Sequence, residues 1–151
     1  MAKISRDIPL NELTLRRYEK PSMKDRALVR KLCLSIGLLQ PGDSRDVVVD
    51  VLYVLLKEKK EMNLEEIREK VMATRKEKNL PLLGVASSNI RRQLKRLREI
   101  FIAEKVINNY RITENLSLKE IMEDKLEKFL IPSILERVKT YFEAVDEEFS
   151  K

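Results

Sequence analysis

"SSNIRRQLKRLREI", residues 87–100, decides how the rest of the chain is read. Ile90, Leu94 and Leu97 recur at the three- and four-residue spacing of one helix face. The other positions are loaded with cations. Arg91, Arg92, Lys95, Arg96 and Arg98 follow one another closely, and no acid appears before Glu99. The pattern predicts a helix that buries one stripe and offers the rest to a polyanion, with Ser87 or Ser88 as its N-cap. The competing explanation is a solvated helix whose arginines pair with acids elsewhere in the chain.

Upstream, "RDVVVDVLYVLLKEKK" (45–60) is apolar from Val47 to Leu56 except at Asp50. Three consecutive valines suit a strand. Length, a possible cap at Ser44 and the charged exit favour a helix buried on more than one side. Asn63 and Glu66 form a capping-box start for a helix to about residue 77, with Leu64, Ile67, Val71 and Met72 as its buried stripe. "NLPLLGVAS" (79–87) is an irregular connection. Nearer the N-terminus, Ser22 reads as the cap of a helix over about 23–39, ended by the turn "QPGDS" (40–44). Residues 1–21 could be a short strand, a short helix or an ordered arm.

Downstream, "FIAEKVINNYRIT" (101–113) alternates around Asn108–Asn109, a pair that tolerates the positive φ of a two-residue turn. It predicts a hairpin pairing 102–107 with 110–113. The capping box "SLKE" (117–120) opens a helix to about 130. Pro132 either breaks the chain there or sits in the first turn of a last helix.

Composition narrows the functions. Charged residues make up 37% of the chain against a typical ~25%. With only two Gln and one Cys, this suits a thermophile. Residues 1–113 hold 25 Lys and Arg against 15 Asp and Glu, whereas 114–151 hold 6 against 10. A basic body with an acidic tail is expected when only one part meets a polyanion. The chain has no His and only three Gly, which argues against a general base, a zinc site, a phosphate loop and an enzyme; no metal or cofactor is expected. Cys33, in "LCLSIGLL", reads as a buried hydrophobe. No run approaches a membrane span, and "MAKISRDIPL" lacks a signal-peptide core, so a cytoplasmic location is expected.

The order helix, helix, basic helix, hairpin over residues 44–113 resembles the winged helix-turn-helix family of DNA-binding domains, as in archaeal and bacterial transcriptional regulators. "VLYVLL" (51–56), "NLEEIREKV" (63–71), "SSNIRRQLKRLREI" and "VINNYRIT" (106–113) carry the likeness, over about half the chain. The resemblance implies a third helix in the major groove and a wing on the flanking backbone. Its candidate DNA contacts are Ser87, Ser88, Asn89, Arg91, Arg92, Lys95, Arg96 and Arg98, with Asn108, Asn109 and Arg111 at the wing. Lys105 could join them. Ser88, Asn89 and Arg92, near the helix start, are assigned to base edges, and Lys95, Arg96 and Arg98 to phosphates. The connection at 78–86 is longer than a strict helix-turn-helix turn, which leaves the docking angle open.

The expected architecture is therefore mainly α, a winged-helix core with a small hairpin wing and flanking helices. Residues 1–43 form an arm and a covering helix, 44–115 the DNA-binding domain, and 116–151 a helical extension. The extension offers Leu118, Ile121, Met122, Leu126, Phe129, Val138, Tyr141, Phe142, Val145 and Phe149 for dimerisation, a habit the resemblance also implies. The alternative is packing on the chain's own body. A homodimeric regulator of double-stranded DNA is the expected function. Its competitors are a protein-contact subunit of a transcription or replication assembly and an RNA binder. The low aromatic content, 5%, disfavours RNA stacking. A second basic set, Arg16, Arg17, Lys20, Lys24, Arg26, Arg30 and Lys31, either extends the footprint or pairs with interleaved acids.

Overall fold

The computed structural model describes residues 7–150. The protein is mainly helical with one small antiparallel sheet. Four helices come first: α1 (Asp25–Ser35), α2 (Val47–Glu58), α3 (Leu64–Glu77) and α4 (Ser87–Glu99). The hairpin β1 (Ala103–Val106) and β2 (Asn109–Ile112) follows. A last helix begins as α5 (Leu118–Ile121), passes through a π-helical stretch at Met122–Leu130 and continues as α6 (Ile131–Phe149).

The "VVVDVLYVLL" run is a helix. Seven of its apolar side chains are buried, because α1, α3 and α4 cover it from different sides. Capping boxes open α3 and α5 as the spacing predicts. The Asn63 side chain accepts from the Glu66 amide at 2.8 Å, and that of Ser117 from the Glu120 amide at 3.1 Å. The other three predicted caps are not used. Asp46, not Ser44, precedes α2, and its carboxylate is drawn to arginines instead. Ala86 precedes α4, which puts Ser87 and Ser88 inside its first turn. Lys24, not Ser22, precedes α1.

Helix α1 stops at Ser35, short of residue 39, where the chain turns left-handed at Gly37 (φ 77°). Leu38 and Leu39 still reach the core. The glycine has a second reason to be there. A Cβ at residue 37 would lie 2.4 Å from the Thr14 Cβ. Thr14 belongs to the N-terminal arm, which in residues 11–24 is neither helix nor strand. The Arg16 amide anchors this arm to the Ser35 carbonyl at 2.7 Å, and its guanidinium donates to the Leu34 carbonyl at 2.8 Å.

The hairpin turn falls one residue earlier than expected, which shifts the strand pairing by two residues. Val106 pairs with Asn109, so the turn is Ile107–Asn108, and Ile107 takes the positive φ (59°). Tyr110 also exchanges two backbone hydrogen bonds with Met62, at 2.8 and 3.0 Å, which ties the entry to α3 onto the outer edge of β2.

Pro132 does not break the chain. Backbone angles stay helical from Ile121 through Ile131. The Ile131 amide bonds to the Leu126 carbonyl, five residues back. The wider π-helical turn ahead of Pro132 is where the helix absorbs a residue without an N–H donor. The core gathers Cys33, α2, Ile67, Val71, the inner face of α4, Ile102, Tyr110 and Ile112, and it is closed below by Ile121, Leu126 and Leu130. Among the described residues no helix is long and apolar enough to cross a membrane.

Candidate nucleic-acid interface

Helix α4 divides into three faces. Ile90, Leu94 and Leu97 are fully buried, which fixes its rotation on the body. Ser88, Arg91, Arg92, Lys95 and Arg98 are exposed on the outward side. Among the described residues, no carboxylate lies within 4.0 Å of any of these four cations. A helix gains nothing for its own fold from four such neighbours, which repel one another at i, i+3 and i+4.

The third face is committed to the protein itself. Asn89 donates to the Gly84 carbonyl at 2.7 Å and accepts from Gln93 at 3.1 Å. Gln93 accepts from Arg96 at 2.7 Å, and Arg96 also donates to the Leu38 carbonyl at 2.6 Å. This ladder sets how α4 sits against the 38–48 segment. It removes Asn89 and Arg96 from the freely available set. A cleft of about 480 Å³ opens beside it, with Arg45, Arg92 and Arg96 on its walls. The open positive face thus runs from Arg92 around to Arg98.

The hairpin adds less charge than its sequence promises. Arg111 is held between Glu104, 2.7 Å from Nε, and Glu61, 3.5 Å from Nη1. Burial opposes ionisation of Glu104. Hydrogen bonds from the Glu114 amide and Arg111 outweigh it and keep the carboxyl below its ordinary range. Asn108 is exposed at the turn and Asn109 half-buried on β2. Lys105 is exposed, its Nζ 5.7 Å above the Tyr110 ring. Ile107 is 87% exposed at the tip.

The second basic set is largely structural. Arg26 is buried against Asp46 and Asp50, Arg30 faces Asp46 at 3.6 Å, and Lys31 holds Glu19 at 3.0 Å. Arg17, Lys20 and Lys24 remain exposed. Sequence reasoning gave Asp50 no role. Its signal was the single acid interrupting the apolar run of α2, because an ionised group there must find cations.

The residues expected to dimerise also separate. Ile121 and Leu126 are buried in the body, and Leu118 and Met122 pack against it. Phe129 is exposed in the π-helical stretch. Val138, Tyr141, Phe142, Val145 and Phe149 stand on α6, where no described side chain is buried.

Comparison of the chain with protein-family models, with curated proteins and with solved structures finds no match.

Proposed function

We propose that the chain is a winged-helix protein that binds double-stranded DNA through α4, acting as a homodimeric transcriptional regulator. The observation that carries the reading is the row of four exposed cations on α4, Arg91, Arg92, Lys95 and Arg98, without a carboxylate partner. Phosphates are the partner such a row fits, since each one neutralised releases counterions. Two short helices, an outward basic helix and a hairpin in that order support the winged-helix assignment. Ser88 and Arg92, one turn apart near the start of α4, are placed to meet base edges, and Lys95 and Arg98 to meet phosphates. Arg96 and Asn89 act as positioning residues that hold α4 at its angle.

The test is binding to random-sequence duplex DNA over a range of salt, for the wild type and for Arg91/Arg92/Lys95→Ala. Each phosphate contact contributes about 0.9 to the slope of log K against log salt, so the triple variant should lose up to about 2.7 of that slope. Equal, weak binding by both proteins at low salt would sink the reading. It would point instead to an acidic protein partner for α4.

A further inference from the structure

Helix α6 extends for 19 residues, about 28 Å at 1.5 Å per residue; its start packs on the core through Ile131 and Ile134, and the rest carries an apolar stripe that stays exposed. Asn11 touches Ser133 at 3.4 Å, and from Leu135 to Phe149 every residue of the helix is exposed. Leu135, Val138, Tyr141, Phe142, Val145 and Phe149 are all exposed, Phe142 at 71% and Phe149 at 79%. They follow the three- and four-residue alternation of a coiled-coil seam. Contiguous apolar surface of this extent marks a contact surface.

The stripe reads nearly the same in both directions. From a point between Tyr141 and Phe142, Val138 and Val145 lie equally far out. Charge does not share that symmetry. The first half of the stripe is flanked by Arg137 and Lys139, and the second by Asp146 and Glu148, with Glu143 and Glu147 nearby. On the helix, Lys139 and Asp146 lie along one flank and Arg137 and Glu148 along the other. Two antiparallel helices related by a two-fold axis bring like flanks together. Lys139 then meets the partner's Asp146, and Arg137 meets the partner's Glu148. A parallel pair would instead gather the acidic ends of both copies, a repulsive arrangement. The same acidic end makes an anionic membrane surface an unfavourable occupant.

We infer that α6 pairs with α6 of a second copy of this chain, antiparallel, about a two-fold axis passing near Tyr141 and Phe142. The inference rests on the homodimeric part of the proposed function and is independent of DNA. Three aromatic rings per copy supply on the order of 800 Å² of buried surface to such a pair. The aliphatic residues bring the total towards the ~1,200 Å² at which stable interfaces begin.

Val138→Cys and Val145→Cys variants, one carrying a tag that changes its mass, test the geometry. Cys33 is fully buried, and burial pushes its thiol up to about 12, so it does not compete. Each variant is oxidised alone and after mixing and subunit exchange, then run on a non-reducing gel, with native mass measured by light scattering. The antiparallel pair predicts dimer mass in solution and a mixed Val138→Cys/Val145→Cys disulfide product, with neither variant linking to itself. Self-linked products from each variant alone would overturn the antiparallel arrangement while leaving a dimer. Monomer mass for the wild type with no cross-link in the mixture would overturn the pairing altogether. Salt-dependent DNA binding by such a monomer would still stand.

Discussion

Arg26, on α1, closes both carboxylate oxygens of Asp50, on α2, at 2.8 Å from Nε and 3.0 Å from Nη2. Asp50 is fully buried, and Arg75 of α3 approaches it from the other side. Asp46 completes the set, 3.0 Å from Arg26 and 3.1 Å from Arg75. Two arginines and two aspartates therefore neutralise each other where α1, α2 and α3 meet, and no buried side-chain polar atom among the described residues lacks a partner. Arg75 also donates to the Pro81 carbonyl at 2.7 Å, so the cluster fixes the start of the connection into α4.

Removing one member strands buried charge, which costs about 3–5 kcal/mol. Asp50→Ala should lower the unfolding free energy by that amount in urea titrations followed by circular dichroism. Asp124→Ala, which breaks an exposed pair with Lys128 at 3.8 Å, should change it by less than about 1 kcal/mol. Similar small losses for both would show that the cluster is not the lock between these three helices.

The pH response follows from carboxyls held low. Hydrogen bonds from Lys78 and Tyr53 bring Asp25 down to about 2. For Asp46, burial opposes ionisation, but hydrogen bonds from Arg26 and Arg75 prevail and the carboxyl stays below its ordinary value. A group with a lowered folded pKa adds stability above its unfolded pKa, about 3.9 for Asp, and loses it as pH falls through the folded value. The chain has no histidine to titrate near neutrality. Thermal unfolding midpoints should therefore vary little from about pH 8 to 5 and fall between about pH 4 and 2. A main drop between pH 7 and pH 5 would contradict this assignment of the titrating groups.

Arg98 and Arg111 separate the two kinds of cation on the proposed DNA face. Arg98 is exposed and unpaired by carboxylates, whereas Arg111 already lies between Glu104 and Glu61. Arg98→Ala should weaken duplex binding and reduce the salt slope by about 1. Arg111→Ala should leave the slope nearly unchanged, because the site loses a cation already neutralised by the protein. Equal slope losses would mean that Arg111 leaves its acids when DNA arrives.

Much of this arrangement was legible in the sequence, and the exceptions share a cause. Helical periodicity identified α3 and α4, because a residue's face depends only on its neighbours in the chain, whereas α2, apolar nearly all round, was read as a helix from its length and its charged exit. The Asn63 and Ser117 capping boxes were equally local. What failed was set by distant partners. The cap expected at Ser44 gave way to Asp46, whose carboxylate is held by Arg26 and Arg75, Arg96 turned from solvent to the Leu38 carbonyl, and Arg16 and Arg26 went to the body. Of the α4 cations, sequence showed how many there are but not which are spent on the fold.

Ile107 is the clearest case of a residue its local conformation does not favour. It holds φ at 59° in the hairpin turn, where a β-branched side chain is crowded by its own backbone. Its side chain is almost fully in solvent, so little packing compensates. Left-handed backbone costs an L-residue roughly 1–2 kcal/mol, which glycine avoids at some entropic expense in the unfolded chain. Ile107→Gly should therefore stabilise the protein by about 0.5–1 kcal/mol, read from the urea midpoint at unchanged slope. The same variant should bind duplex DNA less well if the tip of the hairpin touches it, since an exposed apolar side chain at that position can press into the minor groove. Stabilisation with unchanged DNA affinity would place the tip outside the interface. Loss of stability would mean that the Ile107 side chain, despite its exposure, is what holds the turn in this register.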